Sequence, residues 1–401
     1  MASKLRAYLD HGLPSGLVRL LEQPPDSIST LDGDFSFGIE EEYFLADAET
    51  LRAVTETPPG LFQSIHRRTQ GRGTREFLQA QAEVNTSPHV CAKSARAELH
   101  GLRHAIAEAA AEYGLVILAS GTHPTACWED IEMTSKQRYQ DVMDELQIVG
   151  RRDVLCGMHV HVQLPDPDQR VSVMSRIIPY LPLFLALSTS SPFWNSHCTG
   201  MKGYRLAAYD ELPRTGLPEL FASTADYDAY IAAMVQSNVI PDASYVWWTI
   251  RPSHKLPTLE LRAPDCCTRL DDAIAIACLY RGLVRHLYLH PFHNADLTAV
   301  DRCIAVENKW RAQRYGVQGS FVTKNHGAIS VASFLDQTIR LIADDTDKLG
   351  CTHDVQHCRT IVAAGTSADA QLDIFNSHCA EGKDSALTAV SKWLTSTTLQ
   401  G

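Results

Sequence analysis

The stretch Phe37-Gly-Ile-Glu-Glu-Glu-Tyr-Phe44 decides how the rest of this chain is read. Apolar and aromatic residues flank three consecutive glutamates, and the two-residue period of a strand puts Glu40 and Glu42 on one face and Glu41 on the other. Two carboxylates side by side repel unless a cation sits between them, and hard cations such as Mg2+ prefer oxygen ligands. A solvated edge strand with a plain charge run would look the same locally. The neighbouring segments carry the distinction.

Three further strand-like segments hold residues of the same kind. In Arg75-Glu-Phe-Leu-Gln-Ala-Gln-Ala-Glu-Val-Asn-Thr-Ser-Pro88, Glu83 lies between Ala82 and Val84, with Glu76 seven positions earlier. A carboxylate among apolar strand residues is costly to bury without a partner, the alternative being an exposed face. In Cys156-Gly-Met-His-Val-His-Val-Gln163, His159 and His161 share one face and Met158, Val160 and Val162 the other. Histidines at i and i+2 suit a metal or a phosphate, although a single strand histidine is more often a satisfied core residue. In Thr258-Leu-Glu-Leu-Arg-Ala-Pro-Asp265, Glu260 and Arg262 share a face, as a cross-strand ion pair or as a metal ligand beside a guanidinium that neutralises phosphate. Lys202, Arg205, Arg214 and Arg251 are candidates for binding a substrate carboxylate or phosphate.

Of the 401 residues, 45% are hydrophobic and 21% charged, enough for one large core or two fused ones. The formal charge of -11 argues against nucleic acid and anionic membranes as partners and leaves small metabolites. The first thirty residues alternate charge with apolar groups (Lys4, Arg6, Asp10, His11), unlike a secretory signal. The longest apolar run, Ile177 to Leu187, is broken by Pro179 and Pro182, is too short to span a bilayer and reads as a buried helix. Eleven cysteines without a CxxC pair fit reduced thiols in the cytoplasm rather than a disulfide framework or zinc site.

Residues 1–33 read as an N-terminal helical lead-in ending in turn-rich sequence, and 34–401 as the main domain. Strands are expected at 35–45, 77–86, 115–120, 158–163 and 258–263. Helices are expected at 92–113, 133–149, 171–188, 271–289 and 300–315, with Gly114 as a C-cap. The class is α+β. A P-loop, a dinucleotide-binding glycine fingerprint and a GxSxG elbow are all absent.

Taken in order, Gly38-Ile-Glu-Glu-Glu, Glu83-Val-Asn-Thr-Ser-Pro, Gly157-Met-His-Val-His, Ser191-Pro-Phe-Trp, Leu259-Glu-Leu-Arg, Glu307-Asn-Lys-Trp-Arg-Ala-Gln-Arg-Tyr-Gly and Gly365-Thr-Ser-Ala-Asp-Ala-Gln resemble the YbdK-type carboxylate-amine ligase family, also named glutamate-cysteine ligase type 2. The resemblance spans roughly residues 35–395. It implies a glutamine synthetase-like fold, in which a curved, mainly antiparallel sheet forms a funnel flanked by helices. It implies metal ligation by Glu40, Glu42, Glu76, Glu83, His159 and Glu260, with Glu83 also counted as catalytic and Arg262 facing the transferred phosphoryl group. His161, Lys202, Arg205 and Arg251 fall to the nucleotide or substrate side.

The implied reaction uses ATP with Mg2+, or Mn2+ in its place, to join amino-acid substrates into a γ-glutamyl-cysteine type amide through an acyl-phosphate, in a cytoplasmic homodimer. Thr249, where many relatives carry an acidic residue, and the segment Asn195-Ser-His-Cys-Thr-Gly depart from the family pattern and are expected near the acceptor. Competing readings are a guanidino kinase or glutamine synthetase variant, a catalytically silent sensor of ATP or an amino acid, and a metal-dependent amide hydrolase, for which no HExxH helix is present.

Overall fold

A computed structural model describes residues 35–135, 137–324 and 327–400. The 1–33 lead-in lies outside the described residues. Seven strands make one sheet: β1 (Phe37–Asp47), β2 (Gly73–Arg75), β3 (Gln81–Asn85), β4 (Leu115–Leu118), β5 (Met158–Gln163), β6 (Ile250–Pro252) and β7 (Thr258–Leu261). The order is β2-β3-β1-β5-β7-β6, and every pairing is antiparallel. The eleven-residue β1 serves two partners on one flank, β5 along Phe37–Glu41 and β4 along Phe44–Asp47.

The two faces of β1 follow the alternation of its sequence. Phe37, Ile39, Glu41 and Tyr43 are buried beneath the sheet, while Gly38, Glu40 and Glu42 are half-buried on the other side. The one charge on the core face, Glu41, accepts from Arg103 Nε at 2.9 Å and Nη2 at 2.7 Å, and from the Tyr43 hydroxyl at 2.5 Å. Arg103 stands on the Ala92–Ala111 helix and also donates to the carbonyls of Cys267, Thr268 and Thr398. A single guanidinium thus ties the sheet, a flanking helix, the chain after β7 and the C-terminal helix together, which offsets the cost of burying the pair.

The helices at 92–111, 270–289 and 299–315 lie where hydrophobic periodicity places them, and Gly114, at φ +70°, closes the turn after the first. The expected 133–149 helix is two, Gln137–Leu146 and Ile148–Arg151, separated by Gln147 at φ +53°. The expected 77–86 strand holds its pattern only over Gln81–Asn85, and Leu78 instead makes an isolated bridge to Met133.

The apolar run around Pro179 belongs to a longer element, Pro167–Ser188, whose 22 residues are long and apolar enough to cross a membrane. Its apolar window is 89% buried, so burial, rather than shortness, identifies it as a core helix. From Val331 to Thr398 the chain is a run of helices that sequence periodicity had not located.

Candidate functional site

The open face of the sheet collects the chemistry, and strand register explains why. Glu42 is paired with Glu83, Glu40 with His159, and Glu260 with both His161 and Arg251. Residues directly opposite in an antiparallel pair hold their Cβ atoms about 5 Å apart, so these pairings alone put seven polar side chains on one patch. Glu76 and Arg262 join from the chain just beyond β2 and β7. All of these but His161 and Glu260 line one wall of a cavity of about 470 Å3, which also takes in Arg205, Tyr209, Trp247 and Asp153.

The patch divides into two parts of different charge balance. In the first, Glu42, Glu76 and Glu83 bring carboxylate oxygens within 4.8 Å of one another. Burial, with the charge of Glu83, pushes the Glu42 carboxyl up to about 7 against the pull of Arg205 and Arg262. Burial also raises Glu76, and burial with the Glu76 charge holds Glu83 well above the usual carboxylate range. Three acids that resist ionising together would ionise more readily with a cation between them. The surroundings otherwise favour an oxyanion, since Gly157 N donates to Glu42 Oε2 at 2.5 Å and Asn85 Nδ2 to Glu83 Oε1 at 2.5 Å.

In the second part, Glu40, His161 and Glu260 also offer ligand atoms within 4.8 Å of one another. Burial works against ionising Glu40, but its bonds to His159 and His161, both at 3.2 Å, hold its carboxyl well below the usual range. Glu260 is likewise held low against its burial by the charges of Arg262 and Arg251, the latter at 2.8 Å. His159 is lowered to about 4 by burial and by Arg262, so it is a neutral imidazole at pH 7, and its Nε2 is buried without a hydrogen-bond partner. A neutral buried nitrogen beside carboxylates is a metal-ligand arrangement, and the donor set of oxygens with one or two imidazoles fits Mg2+ or Mn2+.

Arg262 bonds Glu260 and reaches the Tyr209 hydroxyl at 3.3 Å, with its Nε buried and unpartnered. Arg205, almost fully buried, donates to the carbonyls of Arg262 and Pro264 at 3.3 and 3.1 Å, which locks the chain that carries Arg262. A Cβ at position 157 would lie 2.1 Å from Arg205 Nη2, so any side chain there makes the guanidinium shift.

Of the residues singled out in the sequence, Glu40, Glu42, Glu76, Glu83, His159, Arg205, Arg251 and Arg262 line the cavity, and His161 and Glu260 stand directly behind them. Lys202 is not brought there; it bonds Asp369 and Gln318. Arg214 stacks over Trp247 at 5.4 Å and approaches Glu145 at 3.6 Å. Thr249 and the 195–200 segment are not among the lining residues, although Trp247 is.

Asp153, Tyr209 and Tyr139 are lining residues that sequence reasoning missed. They come from helices and loops, where no alternation marks a face. Elsewhere His286, His290 and Asp345 converge, but Asp345 is already neutralised by Arg285 at 2.6 Å.

The family model for glutamate-cysteine ligase family 2 matches residues 36–389. A protein of Bradyrhizobium diazoefficiens is 55% identical over 368 residues, covering 92% of this chain and 85% of its own. One of Rhodospirillum rubrum is 44% identical, covering 89% and 93%. Both carry the name "Putative glutamate--cysteine ligase 2".

Among solved structures, the bifunctional glutathione synthetase of Pasteurella multocida superposes with a TM-score of 0.69 at 15% identity over 93% of this chain, which spans about half (54%) of that protein. The glutamate-cysteine ligase of Francisella tularensis in complex with AMP gives 0.66 at 14% identity, covering 92% and 89%. These likenesses bear out the glutamine synthetase-like fold, a mainly antiparallel sheet flanked by helices. With a family model matched across most of its length and relatives above half identity, the chain belongs to glutamate-cysteine ligase family 2.

Proposed function

We propose that this protein is an ATP-dependent carboxylate-amine ligase that activates a glutamate-like carboxylate as an acyl-phosphate and transfers the acyl group to a small amine, cysteine being the first candidate. The observation that carries this is the adjacency, on one sheet face, of the Glu42, Glu76 and Glu83 group and the Glu40, His161 and Glu260 group, with Arg262 beside the second. Two oxygen-rich cation sites next to a guanidinium suit phosphoryl transfer between anionic partners. That step is governed by charge neutralisation and positioning rather than by covalent chemistry from the protein.

A free carboxylate has no leaving group, so an amine cannot displace its oxygen at neutral pH. In the proposed reaction a carboxylate oxygen attacks the γ-phosphorus and the bond to the β,γ-bridging oxygen breaks, releasing ADP. The amine then forms the C–N bond, the C–O bond to phosphate breaks, and the amine gives up a proton. When bound, divalent ions would screen the phosphate oxygens from the attacking carboxylate.

Glu40, Glu42, Glu76, Glu83, His159 and Glu260 are the residues that would hold the ions, with His161 behind Glu40. Arg262 supplies charge to the phosphoryl group, while Arg205 and Arg251 fix the arginine and glutamate framework through their carbonyl and Glu260 bonds. All eleven cysteines are free, which supports work in a reducing compartment such as the cytoplasm.

The test is phosphate release from the purified protein with ATP and Mg2+, across pairs of carboxylate donors and amine acceptors, with mass spectrometry of the product. Release that requires both partners, with an amide of the summed mass less water, is expected. ATP binding without turnover across a broad panel would instead support the sensor reading.

A further inference from the structure

The cavity has a second wall, built by residues 139–155, whose lining groups Tyr139, Val142, Leu146, Gly150 and Leu155 are largely apolar. Asp153 is the one carboxylate on this wall, and it differs from the sheet glutamates in three respects. It lies outside both groups whose ligand atoms converge within 4.8 Å. Among the described residues, its carboxylate makes no hydrogen bond or ion pair, and the bonds of the two nearby guanidiniums go to other groups. Arg205 bonds the Arg262 and Pro264 carbonyls, and Arg262 bonds Glu260 and Tyr209. Finally, it stands on a helix-to-strand connection rather than on the sheet.

A carboxylate without a partner, set on an otherwise apolar wall of the cavity, is open to a positive group that enters there. The converging glutamates already offer the places for metal ions, so the cation left to Asp153 is one the second substrate brings. The nucleophile of an amide-forming ligase arrives in water mostly as an ammonium.

We propose that Asp153 is the acceptor subsite of this ligase, holding the ammonium of a primary amine while the apolar residues of the same wall pack against the amine's carbon body. This rests on the ligase reading above and names the substrate group that the second wall recognises. Asp153 is a binding and specificity residue here, and the metals and the phosphoryl group remain with the sheet.

The test compares two acceptors with ATP, Mg2+ and L-glutamate: L-cysteine, which carries an ammonium, and hydroxylamine, which is uncharged at mildly alkaline pH and traps an activated carboxylate as a hydroxamate. For Asp153→Asn the ratio of kcat/KM for cysteine to that for hydroxylamine should fall about tenfold relative to wild type, mostly through the KM for cysteine. Asp153→Glu, which keeps the charge, should recover part of the ratio and guards against a folding defect. An unchanged ratio in Asp153→Asn, or equal losses with both acceptors, would overturn the proposal, as would a wild-type enzyme that accepts hydroxylamine but neither cysteine nor methylamine. No hydroxamate from any carboxylate donor in wild type would instead remove the ligase reading itself.

Discussion

Glu83 shows how one side chain can be costly as a bare buried carboxylate and yet suit the proposed reaction. Its carboxyl is held well above the usual range by burial and by Glu76, which favours the protonated acid, a form that glutamine imitates closely. Glu83→Gln should therefore fold normally, with a thermal midpoint no lower than wild type, while ATP turnover falls by two orders of magnitude or more; turnover near wild type would remove Glu83 from the ion site. Arg262→Ala should leave nucleotide binding in place and abolish phosphate release, measured by calorimetry and turnover on the same preparation. Gly157 makes a third case, because any side chain would displace Arg205, whose bonds fix the Arg262 carbonyl. Gly157→Ala is expected to lower kcat at least tenfold with metal affinity little changed, and a wild-type kcat would show that Arg205 can yield without cost.

At the scale of elements, the core face of β1 predicts a stability effect separate from catalysis. Arg103 and Glu41 are both almost fully buried, and removing one partner leaves an uncompensated charge, at a cost of roughly 3–5 kcal/mol. Arg103→Leu should thus lower the unfolding free energy by about that amount, and Glu41→Leu combined with it should recover part of the loss; a double variant less stable than the single would contradict this account. The strands were the legible elements because alternation assigns faces directly. From the pattern alone Glu40 and Glu42 part from Glu41, and His159 and His161 part from Val160, as the structure has them. The carboxylate cluster itself was not visible in any single strand, since it depends on the register that sets Glu42 against Glu83. The 139–155 wall was opaque for a different reason. Its helix breaks at Gln147, and Asp153 reaches the cavity from a connection with no periodicity to reveal its direction. Lys202 shows the converse: a basic residue in a glycine-flanked loop suits phosphate, but Asp369, nearly 170 residues away in sequence, takes it instead.

Over the whole molecule, the proposed ion site would couple stability to cations and to pH, because its carboxylates come from segments between Glu40 and Glu260 that meet only when the sheet is formed. Glu42 and Asp153 have carboxyls raised from ordinary values of 4.5 and 3.8 to about 7 and about 8. A group whose pKa rises on folding binds its proton more tightly in the native state, so its stabilising contribution is complete below the unfolded value and is lost as pH climbs through the folded one. For Glu42 that loss, between about pH 4.5 and 7, is on the order of 3 kcal/mol. The contribution of these two carboxyls should therefore fall from pH 5 to pH 8, opposed below about pH 6.5 by His159, whose lowered value adds stability as pH rises. Mg2+ binds the ionised carboxylates of the native state alone, so its stabilisation should grow over the same interval. The measurement is the thermal midpoint in chelator and in Mg2+ at pH 6 and pH 8, with ionic strength matched by KCl. A Mg2+-dependent gain that is larger at pH 8 is expected, and its loss in Glu83→Gln would assign the effect to this cluster rather than to cations on the acidic surface. A gain independent of pH, or one retained in Glu83→Gln, would place the bound ions elsewhere on the molecule.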